Sequence, residues 1–76
     1  MITHLKGNIT ELSPTHLILD CNGIGYFLNI SLNTFSKMSN VNKEGCKILT
    51  HLHIRGDAHT LFGFFGQEER KLFLML

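Results

Sequence analysis

The 76-residue chain has no tryptophan, one proline, one tyrosine and two cysteines. It also has little charge, with 17% Asp, Glu, Lys and Arg against about 25% in an average soluble domain. No apolar run approaches the roughly 18–20 residues needed to span a bilayer. The first residues, Met1-Ile2-Thr3-His4-Leu5-Lys6, lack the basic stretch and apolar core of a secretion signal, so a cytoplasmic location is expected. Cys21 and Cys46 then read as free, partly buried thiols, not as a disulfide framework. The formal charge of +1 and an isoelectric point near 7.9 lack the basic excess of a free-standing electrostatic nucleic-acid binder. A chain this short supports one small core, and marginal burial is expected of it alone.

What is present is strand-forming sequence cut by turn signals at short intervals. Ser13-Pro14 separates an extended run over 2–12 from a second over 15–21. Asn22-Gly23 is the dipeptide of a two-residue type I′ hairpin, which needs positive φ at both central positions. In the strand that follows, alternation sets Ile24, Tyr26, Leu28 and Ile30 toward the core. Ser31 or Asn33 can cap a short helix carrying Phe35 and Met38, and the polar stretch 39–45 is a loop. A fourth strand over 46–55 places Ile48, Thr50, Leu52 and Ile54 on one face, with Lys47, Leu49, His51, His53 and Arg55 on the other. Gly56-Asp57 turns it into a fifth strand, 58–65. This mainly all-β order, with a short helix between the third and fourth strands, predicts a five-stranded OB-fold barrel over residues 1–65. Residues 66–76 predict a C-terminal helix whose Leu72, Phe73 and Leu76 share a face, apolar enough to need a partner.

No catalytic constellation is present: there is no nucleophile elbow, no phosphate-cradling glycine loop and no cleft-like carboxylate pair. His51 and His53 share a strand face, yet a zinc site would need His4, His16 or His59 to join them, and no metal or other cofactor is expected. Phe27 and Phe65 are the aromatics placed to stack on bases, if packing does not claim them. The turn Arg55-Gly56-Asp57-Ala58, by its own composition, is a solvated hairpin end.

Taken together, Gly7, Asn22-Gly23-Ile24-Gly25-Tyr26, Thr50-His51-Leu52-His53-Ile54-Arg55, Asp57-Ala58-His59-Thr60-Leu61-Phe62-Gly63-Phe64 and Glu69-Arg70-Lys71-Leu72-Phe73 occur in a joint order that resembles one family along the whole chain. The chain is similar to the N-terminal domain of the RuvA family, the Holliday-junction-binding subunits of the bacterial branch-migration machine. The resemblance implies a non-catalytic subunit in recombination, DNA repair and the SOS response, assembled as a homotetramer or an octamer. Its implied partners are Holliday junction DNA, the RuvB ATPase that supplies the helicase activity, and the RuvC resolvase, with no membrane. It also implies that residues 66–76 are the first helix of a second, helix-hairpin-helix domain that grips the DNA backbone beyond this chain.

In the family, the turn matching Arg55-Gly56-Asp57-Ala58 is an acidic pin at the junction centre with two adjacent acids. Here Asp57 keeps the second acid, whereas Gly56 stands where the first is expected, halving the central charge. His51 and His53 are candidates for a DNA- or subunit-facing surface. Two other readings stay open from the residues alone. One is an autonomous OB module binding single strands through Phe27 or Phe65, and the other is an oligomerisation domain without DNA contact.

Overall fold

The computed structural model describes residues 2–75; Met1 and Leu76, with the part assigned to Leu76 on the helix face, lie outside the described residues. Its elements run β1 (Ile2–Leu12), β2 (His16–Cys21), β3 (Ile24–Asn29), α1 (Leu32–Met38), β4 (Cys46–Arg55), β5 (Ala58–Phe64) and α2 (Gln67–Leu74). The strands close in the order β1-β2-β3-β5-β4, a five-stranded barrel of OB-fold type.

Closure depends on one long strand serving two neighbours. The first half of β1 pairs antiparallel with β4, from Ile2 opposite His51 to Gly7 opposite Cys46. Its second half pairs with β2, from Asn8 opposite Asp20 to Leu12 opposite Leu17, with a register shift between Ile9 and Glu11. Gly7 sits at the handover. A Cβ there would collide with the Asp20 backbone carbonyl and press on Cys21 Sγ at 3.0 Å, so only glycine lets the strands approach this closely. The opposite seam is thin: β3 and β5 run parallel and meet at Asn29 opposite Phe62.

The β2–β3 hairpin turns on Asn22 (φ 53°) and Gly23 (φ 88°), both positive as a type I′ turn requires. The Gly23 N–H donates to Asp20 Oδ1 at 2.8 Å and tightens the corner. Inside the barrel, Ile9, Leu17, Leu19, Leu28, Met38 and Ile48 form the core. Burying each such side chain stabilises the fold by about 1.5–3 kcal/mol relative to exposure.

Two expectations are corrected. Ile24 lies on the expected strand face but is 58% exposed, because it follows the hairpin turn beyond the end of the core. In α1, the buried residues are Thr34 and Met38, one turn apart, while Phe35 is half-buried. Ser31 caps this helix by accepting the Thr34 N–H at 3.1 Å, which turns Thr34 inward in place of Phe35.

Candidate functional site

The barrel does not contain the whole of β4 and β5. Among the described residues, pairing between β1 and β4 runs as far as His51, and β3 meets β5 at Phe62. Beyond these points, Leu52 pairs with Leu61, His53 with Thr60, Ile54 with His59 and Arg55 with Ala58. Leu61 still packs against the core, and its carbonyl accepts from Asn29 Nδ2. Past it, with no third strand flanking among the described residues, β4 and β5 continue as a two-stranded arm. Alternation continues from the barrel into the arm, but cover does not. Ile48 and Thr50 are fully buried, whereas Leu52 and Ile54 on the same face are 40% and 58% exposed.

At the end of the arm are Arg55, Gly56 and Asp57, all exposed. Gly56 has φ +59°, and Asp57 is not in the positive-φ region, the pattern of a type II′ turn with glycine at its first central position. Space around Gly56 is open, so backbone conformation, not crowding, favours glycine there. The ion pair found among the described residues, Glu11 with His16 at 2.7 Å, lies elsewhere, leaving Arg55 and Asp57 presented to solvent. The arm end therefore carries one fixed positive and one fixed negative charge on a turn set clear of the barrel.

The structure separates the two histidines expected to share a surface. His53 is exposed on the arm. His51, two residues earlier, is half-buried and lies edge-on to Phe73 of α2, ring centroids 5.8 Å apart. Its Nδ1 is buried without a hydrogen-bond partner among the described residues. Helix α2 covers this end of the face, so His51 lies in the helix seat while His53 stands open to solvent.

The C-terminal helix has found part of its partner within the chain. Phe73 packs on Phe62 and Phe64 with centroids 4.9 and 5.1 Å away. Glu69, one turn earlier, accepts hydrogen bonds from Ser31 Oγ at 2.5 Å, Asn33 Nδ2 at 3.4 Å and Thr34 Oγ1. Burial raises the pKa of this carboxyl, but the hydrogen bonds from Ser31, Thr34, Asn33 and the Phe65 backbone outweigh it, and the net shift is downward. Leu72 and Met75, on the other side of α2, stay exposed. That the 62–65 segment meets the following helix was legible in the sequence, whereas the part of Glu69, four residues before Phe73, was missed. Their four-residue spacing puts them on one helix face, which was the signal available.

The aromatics considered for base stacking already have neighbours. Phe27 is 53% exposed but stacks on His16, centroids 4.6 Å apart and planes at 17°, and Glu11 holds that imidazole in turn. Lys37 Nζ lies 5.6 Å from the Phe65 ring centre. Cys21 and Cys46 are free thiols, and Cys46 Sγ donates to the Asn42 carbonyl at 2.6 Å. Among the described residues no group of three His, Cys, Asp or Glu side chains could hold a metal ion, and no helix is long and apolar enough to cross a membrane.

These features define an OB-fold barrel module with a projecting, singly acidic arm and a docked C-terminal helix. A family model described as "RuvA N terminal domain" matches residues 1–63. Over all 76 residues the chain is 57% identical to the Holliday junction branch migration complex subunit RuvA of Parabacteroides distasonis, covering 38% of that protein. It is 50% identical to the protein of the same name from Bacteroides fragilis, covering 37% of it, and 47% to that from Christiangramia forsetii, covering 38%. The chain belongs to the RuvA family and corresponds to its N-terminal domain. It spans less than two fifths of the length of these curated relatives.

Proposed function

We propose that this domain is a DNA-architecture and assembly element of a Holliday junction branch migration subunit, with its arm directed at the centre of the junction. In this reading the subunit is non-catalytic and assembles as a homotetramer, or as an octamer of two tetramers. ATP hydrolysis and helicase action belong to the RuvB motor, RuvC resolvase acts on the same junction, and the setting is cytoplasmic DNA repair. Residues 66–76 open the second domain, whose helix-hairpin-helix motifs supply the phosphate contacts. That division of labour is compatible with a near-neutral first domain, because phosphate contacts supply most of the salt-dependent affinity and need Lys and Arg in number.

The observation that carries the reading is the arm itself, a ribbon set clear of the barrel with Asp57 exposed at its end. A carboxylate brought close to phosphates repels them, and the penalty is greater for continuous duplex crossing the centre than for strands that diverge around it. Four-fold assembly would gather the arm ends and concentrate that repulsion. Arg55 beside Asp57, with Gly56 in place of a second acid, leaves the repulsion weaker than in the two-acid pattern.

The test is a competition between an immobile four-way junction and linear duplex of matched sequence, for the full-length protein at fixed salt. Asp57→Asn is expected to narrow the preference for the junction by several-fold, through tighter duplex binding. An unchanged preference would reduce the arm to a hairpin without a role in discrimination.

A further inference from the structure

Three donors from the first turn of α1 converge on one carboxylate more than thirty residues away in sequence. Ser31 and Asn33 donate to Glu69 Oε2, and Thr34 donates to Oε1, so both oxygens are occupied. Thr34 is fully buried, and its hydroxyl finds its acceptor on α2. The neighbouring acid Glu68 is exposed and has no such set of donors among the described residues. Four residues after Glu69, on the same helix face, Phe73 rests on Phe62, Phe64 and His51.

The two attachments straddle the weakest seam of the barrel. Glu69 ties α2 to α1, which follows β3, and Phe73 ties it to β4 and β5. Between β3 and β5 the backbone pairing is confined to Asn29 and Phe62. A cavity of about 220 Å³ lies in this gap, bordered by Ile30, Gly63 and Phe73. The helix bridges the seam where the strands barely do.

We propose that Glu69 is a positioning residue that locks α2 across the β3–β5 seam, so that barrel, arm and helix move as one body. Chain continuing past α2 then inherits a fixed orientation relative to the arm. This consequence rests on the reading above, in which the phosphate-gripping domain follows this helix. The lock is chemically specific. Its donors are neutral, and no Lys, Arg or His forms an ion pair with Glu69 among the described residues. Glutamine would present an amide NH₂ to at least one donor that now meets an oxygen, and aspartate is one methylene too short.

The test uses the full-length protein with two readouts, hydrogen exchange of α2 amides and junction-over-duplex preference. Glu69→Ala is expected to speed α2 exchange about tenfold or more, as loss of hydrogen bonds to a charged group implies. Amides of β2 and β3 should keep their protection, and junction preference should fall by several-fold. Glu69→Gln should fall between Ala and the parent in both readouts. Unchanged α2 exchange in Glu69→Ala would overturn the proposal. So would a loosened α2 with junction preference intact. If Glu69→Ala fails to fold, Thr34→Val removes the donor to Oε1 alone and is judged by the same two readouts. Absence of any junction preference in the parent protein would overturn the functional reading instead, and the exchange data would then decide on the lock by themselves.

Discussion

The inner and outer halves of β4 carry the same alternating pattern into two different environments. Ile48 is sealed in the core cluster with Leu17, Leu19 and Leu28, and Thr50 on the same face is fully buried too. Leu52 and Ile54 continue the same face into solvent, where among the described residues β4 is paired with β5 alone. The difference shows that alternation sets which side a residue faces, while cover depends on how far the neighbouring strands reach. Among the described residues β1 pairs along β4 as far as His51, and the tip of β4 beyond it is flanked by β5. An isolated two-stranded ribbon is marginal in water, so the arm borrows its order from the barrel. Stability should therefore reside in one half of the strand, and DNA discrimination in the other.

The sharpest way to break this division is inside the barrel. Leu28→Ala removes a fully buried side chain and should cost about 2–5 kcal/mol in chemical denaturation. The Asp57 turn, outside the core, should be unaffected in any population that remains folded. A loss below about 1 kcal/mol would mean that the barrel interior is less tightly packed than described.

A smaller and more local effect is expected from acid. Glu69 has a folded-state pKa below its ordinary value of 4.5, so its contribution is complete above that value. The contribution is lost as pH falls through the lower folded-state value, when the carboxyl protonates and gives up an acceptor. Exchange of α2 amides measured on descending from pH 6 should rise, relative to that of β2 and β3, only in this acidic range. A uniform rise along the chain would assign the acid sensitivity to other groups.

The smallest effect belongs to the arm. Ile54→Thr keeps a β-branched side chain on an exposed strand and should change stability by no more than about 0.5 kcal/mol. A cost of 2 kcal/mol or more would show that the Leu52–Ile54 face is covered in solution, as it would be in an assembly.

Much of the barrel was legible in the sequence because its signals are local. Asn22-Gly23 announced its turn, Ser13-Pro14 its break, and β4 ran over the expected residues. The Gly56 turn was legible as a turn, and its positive φ now explains why glycine suits that position. The failures share a physical cause, which is contact between parts distant in sequence. Ile24 looks like a core residue until the reach of the strands is known. Thr34 looks like a weaker helix residue than Phe35 until Ser31 caps the helix and Glu69 supplies an acceptor. His51 and His53 look equivalent until α2 covers one of them. A helix end rich in apolar residues gave no hint that an acid would do part of the docking.

The central claim is that carboxylates at the arm end set the discrimination between junction and duplex. It is tested most directly by counting them at fixed salt in the full-length protein, with Asp57→Asn carrying none, the parent one and Gly56→Asp two. Any side chain at position 56 works against the positive φ there, so Gly56→Asn, uncharged on the same backbone, is the control that separates this strain from the added charge. Junction-over-duplex preference should rise in that order, with most of the change in duplex affinity. Equal preference in all three proteins would contradict the account.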